Sequence, residues 1–352
     1  MNLLPFLATF ISSLVLLWGL PPVAHQIGLL DYPDRRKHHQ TAVPMIGGVA
    51  IALAVSVGIL VQTSGISTHR SFLLGVLVIS VVGIVDDLMD LPYRIKLSFQ
   101  ILVAALIVLL GGQAVTHIGH IFFSNTGYGL GPFSQIFSII AIVGLMNAYN
   151  MIDGHDGLAG GCAVISLLSV CLLLSLLPKT SAPALLILFL TACAVFLFFN
   201  LESVVGPRRQ VFLGDAGSLM LGLTVAYFLI KYSGLPASKK IPVTVAPWLV
   251  GLPLLDMVAV MTRRLVNRRS LFRADRIHFH HIMMDCGVSK GRVLLLGLVF
   301  QALLSGIGIL GFLRGWADRF LFWGLFLALV IYLLLIRLLN SKSKGSHLSS
   351  AS

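Results

Sequence analysis

The sequence predicts an all-α protein that crosses a membrane many times, with about eleven transmembrane helices. Of its 352 residues, 57% are hydrophobic and only 11% are charged. The mean hydropathy of +0.96 is far above that of ordinary soluble domains. Apolar runs long enough to cross ~30 Å of hydrocarbon recur along the whole chain, which indicates a polytopic membrane protein.

Each predicted span is an apolar run bounded by polar or turn-forming residues. The eleven spans lie near residues 3–20, 44–62, 71–86, 97–112, 134–149, 159–177, 183–200, 211–230, 242–261, 293–313 and 319–338. We expect residues 1–340 to form a single integral-membrane catalytic domain, because no soluble domain is evident between the spans. Residues 341–352 are polar and predict a disordered cytoplasmic tail.

The distribution of Lys and Arg predicts the orientation of the chain in the membrane. With the N-terminus outside (periplasmic) and the C-terminus in the cytoplasm, 18 of the 25 basic residues lie in cytoplasmic segments. This orientation also places most of the 13 acids on the cytoplasmic side, leaving Asp256 inside the ninth span and Asp318 outside. A chain of net charge +12 that gathers its acids on one face indicates a cationic partner there, and a metal ion is the first candidate.

The basic residues do not indicate a nucleic-acid partner. They are spread along loops beside the spans, and no aromatic residues are interleaved with them. The positive-inside bias and contact with anionic membrane lipid explain most of them. The four cysteines lack C-x-x-C spacing and indicate neither disulfides nor a zinc site.

The first polar motif is N-A-Y-N-M-I-D-G-H-D-G-L-A-G-G, from Asn147 to Gly161. It places Asp153 and Asp156 between two apolar runs, at or near a membrane boundary. A charge at the centre of a spanning helix costs roughly 2.5–3.5 kcal/mol, so such residues are retained mainly for function. The alternative is a polar turn between two helices that happens to contain acids.

The second motif is D-D-L-M-D, which ends the third span with Asp86, Asp87 and Asp90. Residues three or four apart share a helical face, so these carboxylates are predicted neighbours. Like charges at a membrane boundary repel unless a cation lies between them. The cluster therefore favours a divalent-cation or proton-transfer site over a solvated helix end.

The third motif is V-F-L-G-D-A-G-S, from Val211 to Ser218, where the eighth span begins. Small residues around Asp215 leave room for a hydrated ion, and backbone N–H groups at a helix N-terminus can face an anion. Close packing of helices is the alternative explanation for the glycines.

Two cytoplasmic loops are basic. The first contains Arg35, Arg36 and Lys37 and suits either a phosphate or the anchoring of the topology. The longest, from Thr262 to Arg292, carries six arginines followed by histidines. Arginine with histidine, and no cysteine close by, favours phosphate and sugar binding over a zinc site. The three histidines of the motif are His278, His280 and His281.

These features on one face are what phosphoryl transfer from a nucleotide-bound donor requires. Mg²⁺ prefers oxygen ligands and commonly bridges carboxylates to substrate phosphates. Basic groups then stabilise the remaining negative charge as the bond shifts.

The chain resembles the polyprenyl-phosphate N-acetylhexosamine-1-phosphate transferases. The matching motifs follow the family's order over most of the chain: D-D-L-M-D (Asp86–Asp90), N-A-Y-N-M-I-D-G-H-D-G-L (Asn147–Leu158), F-L-G-D-A-G-S (Phe212–Ser218) and A-D-R-I-H-F-H-H (Ala274–His281). The Arg/His loop separates this chain from the muramoyl-pentapeptide transferase branch. Two departures are His155, at a position usually apolar in the family, and Phe279, where Ile is more usual.

The resemblance implies transfer of N-acetylglucosamine 1-phosphate from UDP-GlcNAc to undecaprenyl phosphate, with Mg²⁺ or Mn²⁺. The products would be UMP and undecaprenyl-diphosphate-GlcNAc, made at the cytoplasmic face of the bacterial inner membrane as the first membrane step of a cell-surface polysaccharide such as O-antigen. It implies catalytic roles for Asp86, Asp87 and His278, and metal ligation by Asp215, Asn150 and Asp86. It implies substrate contacts from Gly154, Asp156, Asp153, Arg264, His280, His281 and Lys37.

Several alternatives stay open at this point. The same chemistry could use another UDP-N-acetylhexosamine. A proton-coupled transporter also has acids in its spans, but usually near the membrane midplane. An intramembrane aspartyl protease needs two facing aspartates, and its reaction would not use the Arg/His loop. Direct attack by the lipid phosphate competes with a two-step route through an aspartyl phosphate on Asp86 or Asp87. Family members often pair, so a homodimer is an alternative to a monomer.

Overall fold

The computed structural model describes residues 2–33, 42–62, 69–122, 127–177, 183–233, 241–268, 270 and 278–349, with side chains to residue 341. Within these ranges the chain is mostly helical, as predicted. The helices are α1 (Leu4–Gly19), α2 (Pro21–Ile27), α3 (Gly47–Val61), α4 (Arg70–Met89), α5 (Tyr93–Ala105), α6 (Ser134–Ile152), α7 (Leu158–Leu176), α8 (Ala184–Asn200), α9 (Glu202–Val205), α10 (Gly214–Ser233), α11 (Ala246–Leu249), α12 (Gly251–Val266), α13 (Phe279–Asp285), α14 (Lys290–Leu313) and α15 (Asp318–Ser349). Two short strands, β1 (Leu30–Asp31) and β2 (Val43–Pro44), pair antiparallel.

Seven described helices are long and apolar enough to cross a membrane: α4, α5 with the π-helical turn Leu106–Leu110, α6 with a preceding 3-10 turn, α7, α10, α14 and α15. The pair α1 and α2 makes an eighth if these helices, bent by 47°, form one span. Helices α3 and α8 are apolar but shorter. The protein is therefore a multi-pass membrane protein. Helices lie in all eleven predicted spans, but the number of crossings and the orientation of the termini stay predictions.

Helix α10 is the centre of the bundle, and 94% of its most apolar 18-residue stretch is buried. Helices α3, α4 and α6 pack against it at very short range. A Cβ atom added at Gly48 or Gly83 would overlap the backbone of α10, and one added at Gly222 would overlap the backbone of α6. Glycine at these contacts lets neighbouring backbones approach, which is how membrane helices gain packing energy without a hydrophobic driving force.

The ninth predicted span is broken in the structure, because α11 ends at Leu249 and α12 begins at Gly251. The break exposes backbone groups that must be paired inside the bilayer. Gln301 of α14 pairs them: its Nε2 donates to the Leu249 carbonyl at 2.8 Å, and its Oε1 accepts from the Leu252 N–H at 2.9 Å. One carboxamide thus holds the two halves of the span together.

The helix ends sort into two faces of the bundle. At one, which we call the site end, α4, α6 and α8 finish and α5, α7 and α10 begin. At the opposite end, Asp318 accepts hydrogen bonds from the His120 N–H at 2.9 Å and the Thr244 hydroxyl at 2.7 Å. Segments predicted to be cytoplasmic therefore meet at one end. The division into a domain of residues 1–340 and a tail stays a prediction, although α15 is helical as far as Ser349.

Candidate active site

Asp86 is turned into the protein where α4 ends. It is 6% exposed, its Oδ1 accepts from the Leu91 N–H at 2.8 Å, and its Oδ2 lies 2.7 Å from Lys96 Nζ. Asp90, predicted to share this face, is exposed and ends the helix in a left-handed conformation with φ 51°. The helix therefore stops before Asp90 can join the other two carboxylates on one face.

Asp215 lies in the first turn of α10 and contacts two other helices. Lys96 Nζ, from α5, lies 3.3 Å from its Oδ2, and Asn150 Nδ2, from α6, donates to its Oδ1 at 2.9 Å. Because Lys96 also contacts Asp86, the carboxylates of Asp86 and Asp215 lie around one ammonium group. Residues far apart in sequence on α4, α6 and α10 thus converge on one centre.

Asp87 binds the N-terminus of α10 instead of facing that ammonium. Its two oxygens accept from the N–H groups of Asp215, at 2.9 Å, and Ala216, at 3.4 Å. A carboxylate there satisfies donors that have no partner within the helix and favours the positive end of its dipole. Gly214 has φ +71°, and a Cβ on it would touch the Asp87 carboxylate. The glycine before Asp215 is therefore required by this contact.

The chain that leads into Asp215 is fixed by backbone pairing. The Phe212 N–H donates to the carbonyl of Pro44 in β2, at 2.8 Å. The first N–H groups of α3, from Gly47 and Gly48, donate to the carbonyls of Phe212 and Leu213, each at 2.9 Å. The close approach of glycines at the start of α3 thus sets the position of α10.

The donor set at this centre fits a hard divalent cation. The carboxylates of Asp86 and Asp215 and the carboxamide of Asn150 supply oxygen ligands, and the Lys96 ammonium stands where positive charge is favoured. No group of three or more His, Cys, Asp or Glu side chains among the described residues is arranged to hold a metal ion alone. Mg²⁺ does not need one, because it commonly uses one or two carboxylates and completes its shell with water and substrate phosphates.

The loop between α6 and α7 carries Asp153 and Asp156 beside this centre. Burial raises the pKa of Asp153 well above its ordinary value, and the nearby charges of Asp215 and Asp87 add to the effect. Burial also raises the pKa of Asp156, against a hydrogen bond from Gln210 that lowers it. Both side chains therefore favour the protonated form more than an exposed carboxyl does.

Asn200, at the end of α8, anchors this loop. Its Oδ1 accepts from the Gly157 N–H at 2.6 Å, and its Nδ2 donates to the Val211 carbonyl at 2.9 Å. One buried carboxamide thereby joins the loop of Asp153 and Asp156 to the segment that leads into Asp215.

The histidines of the fourth motif lie against the same loop. A Cβ on Gly154 would overlap the ring of His280. The rings of His278 and His280 are parallel with centroids 5.8 Å apart, and those of His280 and His281 are 4.2 Å apart. His280 is 1% exposed, and within the described part of the chain neither of its ring nitrogens has a hydrogen-bond partner, nor has Nε2 of His155. Burial lowers the pKa of His280 well below its ordinary value.

Asp256 contacts the histidine motif, although the sequence analysis placed it in the ninth span and assigned it no function. It is 2% exposed and accepts from three groups: His278 Nδ1 at 2.9 Å, the Phe279 N–H at 2.9 Å and the Tyr332 hydroxyl at 2.7 Å. The available signal was its charge inside an apolar run, which is costly unless the group is paired.

Arg264 and Lys37 are the two remaining predicted substrate-binding residues. Arg264 is buried in the last turn of α12. Lys37 lies outside the described residues, as do positions 269 and 271–277 of the Arg/His loop. The structure thus brings together the acids, Asn150 and the histidines, while Lys37 stays a sequence prediction.

Known proteins match this chain over most of its length. Residues 69–233 match the family model described as glycosyl transferase family 4. A Yersinia pestis protein named undecaprenyl-phosphate alpha-N-acetylglucosaminyl 1-phosphate transferase is 33% identical over 327 residues, covering 92% of this chain and 88% of the relative. The protein of that name from Escherichia coli strain K12 is 33% identical over 337 residues, covering 92% of this chain and 89% of the relative. The one from Haemophilus influenzae is 32% identical over 335 residues, covering 94% and 92%. The chain therefore belongs to glycosyl transferase family 4, as a glycosyl-1-phosphate transferase of the polyprenyl-phosphate N-acetylhexosamine-1-phosphate transferase group that its motifs predict.

Proposed function

We propose that this protein transfers N-acetylglucosamine 1-phosphate from UDP-GlcNAc to undecaprenyl phosphate and releases UMP. The names of relatives that match nearly the whole chain support the substrates. The observation that carries the chemistry is the convergence of three helices: Asp86 and Asp215 contact the Lys96 ammonium, and Asn150 donates to Asp215. Phosphoryl transfer needs little covalent chemistry from the protein and depends on positioning and charge stabilisation.

Asp215, Asp86 and Asn150 are proposed to hold Mg²⁺ or Mn²⁺. When bound, the ion would supply positive charge to the donor diphosphate. The chain contributes a fixed set of oxygen ligands, since Asp215 is held by Asn150 and its own N–H is held by Asp87. In the structure the Lys96 ammonium supplies the positive charge between the two acids, and a bound ion would compete with it for their oxygens.

In the proposed reaction, an oxygen of the lipid phosphate attacks the phosphorus that carries the sugar. The bond from this phosphorus to the bridging oxygen breaks, and UMP leaves with that oxygen. A phosphate monoester has a second pKa near ~6, so at neutral pH the nucleophile is already mostly dianionic and needs little base catalysis. The Asp87 oxygens are both engaged by N–H groups of α10, which supports a positioning role for Asp87 over covalent attack.

The donor is proposed to lie between the Asp153–Asp156 loop and the histidines. Gly154 and Asp156 would contact the uridine, with Asp153 beside them, and Arg264, His278, His280 and His281 would contact the sugar and phosphates, with Lys37 from the first loop. The buried nitrogens of His280, which have no partner among the described residues, support this placement, because buried polar groups are normally paired and a bound substrate would pair them.

The site is proposed to face the cytoplasm from the inner membrane of a bacterium, with a homodimer as one arrangement. Support comes from the positive-inside pattern, since the segments richest in Lys and Arg in the sequence are those predicted to be cytoplasmic. A nucleotide sugar is water-soluble and cytoplasmic, whereas the acceptor phosphate lies at the membrane surface. The product would begin a cell-surface polysaccharide.

The test is UMP release by the purified protein with a panel of UDP-sugars. We expect release with UDP-GlcNAc that requires both undecaprenyl phosphate and Mg²⁺, and none in Asp215→Asn. Asp285→Asn is the matched control, because Asp285 is an exposed acid at the end of α13. Release with another UDP-N-acetylhexosamine but not UDP-GlcNAc would correct the donor. No release with any UDP-sugar would overturn the proposed function.

A second experiment separates the two mechanisms. A donor labelled in the phosphate next to the sugar is mixed with the enzyme and quenched in acid within milliseconds. Direct attack leaves no acid-stable label on the protein. Label that stays covalently bound to the acid-quenched protein, and that moves to the lipid when unlabelled substrate is added, would establish the aspartyl-phosphate route instead.

A further inference from the structure

The side chain of Asp256 lies within the ninth predicted span, and the chemistry described above does not use it. It is 2% exposed and lies in an apolar span, yet its two oxygens contact three hydrogen-bond donors. Oδ2 lies 2.9 Å from His278 Nδ1, and Oδ1 accepts from the Phe279 N–H at 2.9 Å and the Tyr332 hydroxyl at 2.7 Å. These three donors come from the end of the Arg/His loop, the start of α13 and the last helix.

The contact with His278 determines what that ring can do. Since a carboxylate only accepts hydrogen bonds, Nδ1 must carry the proton, and Nε2 is the nitrogen left for another partner. The parallel ring of His280, 5.8 Å away between centroids, restricts rotation.

A role in holding α13 alone does not explain this residue. An asparagine would accept from the Phe279 N–H and from the Tyr332 hydroxyl equally well, and it would avoid burying a charge. What asparagine cannot supply is two acceptor oxygens at once, one for these groups and one for His278 Nδ1. The carboxylate is required by the histidine.

We propose that Asp256 is a positioning residue for His278, which it holds with Nε2 directed to the bound nucleotide sugar. Tyr332 of α15, 4% exposed, donates to the other oxygen of Asp256 and does not contact His278 through it. This inference rests on the proposed function for the identity of the ligand, but the pairing of Asp256 with His278 does not.

The kinetic test compares Asp256→Asn, His278→Ala and the double variant in UMP release. Asp256→Asn offers an N–H to Nδ1 and thereby reverses the direction of the hydrogen bond. We expect roughly a 10- to 100-fold lower kcat/KM for UDP-GlcNAc, with KM for undecaprenyl phosphate unchanged. Adding Asp256→Asn to His278→Ala should cost nothing further, because residues that act through one another are not additive. Tyr332→Phe is the matched control; it keeps the carboxylate on Nδ1 and should stay within about threefold of wild type.

A spectroscopic test needs no variant at Asp256. In protein labelled with ¹⁵N-histidine, the signal of His278 is identified by its loss in His278→Ala. We expect it to show a protonated Nδ1. An unprotonated Nδ1, or equal losses from Asp256→Asn in the presence and absence of His278, would overturn the proposal. A wild-type protein that releases no UMP would defeat the proposed function, while the nitrogen spectrum would still decide the pairing.

Discussion

Replacing Asp87 with alanine should destabilise the N-terminus of α10 and displace Asp215. The change removes hydrogen bonds to the N–H groups of Asp215 and Ala216, at 2.9 and 3.4 Å. Loss of a helix cap costs about 1 kcal/mol, and a backbone donor left buried without a partner costs ~1–3 kcal/mol. Because the second bond is long, we expect a total of about 2 kcal/mol for Asp87→Ala. Asp87→Asn keeps one acceptor oxygen and should lose about half of that.

The measurement is thermal unfolding of the purified protein, followed by tryptophan fluorescence, together with UMP release. Asp87→Ala should lower the apparent melting temperature by a few degrees. Its activity should fall about 100-fold, as expected when a catalytic group moves by about 1 Å. Asp90→Asn is the control for stability, because Asp90 is exposed on the same turn and asparagine accepts its left-handed conformation. If Asp87→Ala melts at the wild-type temperature, Asp87 does not anchor α10.

Three further predictions concern single side chains. Gln301→Leu leaves the Leu252 N–H without its acceptor and removes one donor from the Leu249 carbonyl, which keeps the Ser166 hydroxyl at 2.6 Å. It should destabilise the protein by ~1–3 kcal/mol; an unchanged melting temperature would show that water or another group replaces the carboxamide. Lys96→Met removes the ammonium between two carboxylates, so Mg²⁺ should protect against heat at lower concentrations than in wild type, and a higher requirement would contradict competition for one centre. Burial raises the pKa of Asp153 in the folded protein. Ionising this carboxyl therefore costs more in the folded than in the unfolded chain, and the free energy of unfolding falls as pH rises. Asp153→Asn should therefore melt above wild type by a margin that grows from about pH 5 to about pH 8; a constant margin would exclude this titration.

Much of the fold follows from hydropathy, because each lipid-facing segment must be apolar and internally hydrogen-bonded. The breaks do not follow from it. The interruption between Leu249 and Gly251 depends on Gln301, some fifty positions away, and no local pattern encodes that pairing. The π-helical turn Leu106–Leu110 lies in an unbroken apolar run, so hydropathy does not mark it either.

The candidate site was predictable as a set of residue types and less so as a geometry. The acidic motifs identified Asp86 and Asp215, and the family resemblance added Asn150; the structure brings the three together. It did not separate Asp86, which contacts Lys96, from Asp87, which caps α10, because the rotation of α4 against α10 depends on the close contact at Gly83.

Asp256 shows the limit of local sequence reasoning in another way. Its partners His278 and Tyr332 are 22 and 76 positions away. A charge in a span signals a function, but only tertiary packing names the partner. The position of Lys96 between two carboxylates likewise comes from tertiary packing, through the turn that joins α4 to α5.

The central claim is that one centre, built by three helices, passes a sugar phosphate from nucleotide to lipid. The most direct test is to follow UDP-GlcNAc labelled in the sugar and to measure lipid-extractable label and UMP in the same reaction. We predict one UMP for each labelled lipid in the wild-type protein, and neither product in Asp215→Asn or Asp86→Asn. UMP formed without labelled lipid, or full transfer by either variant, would contradict the account.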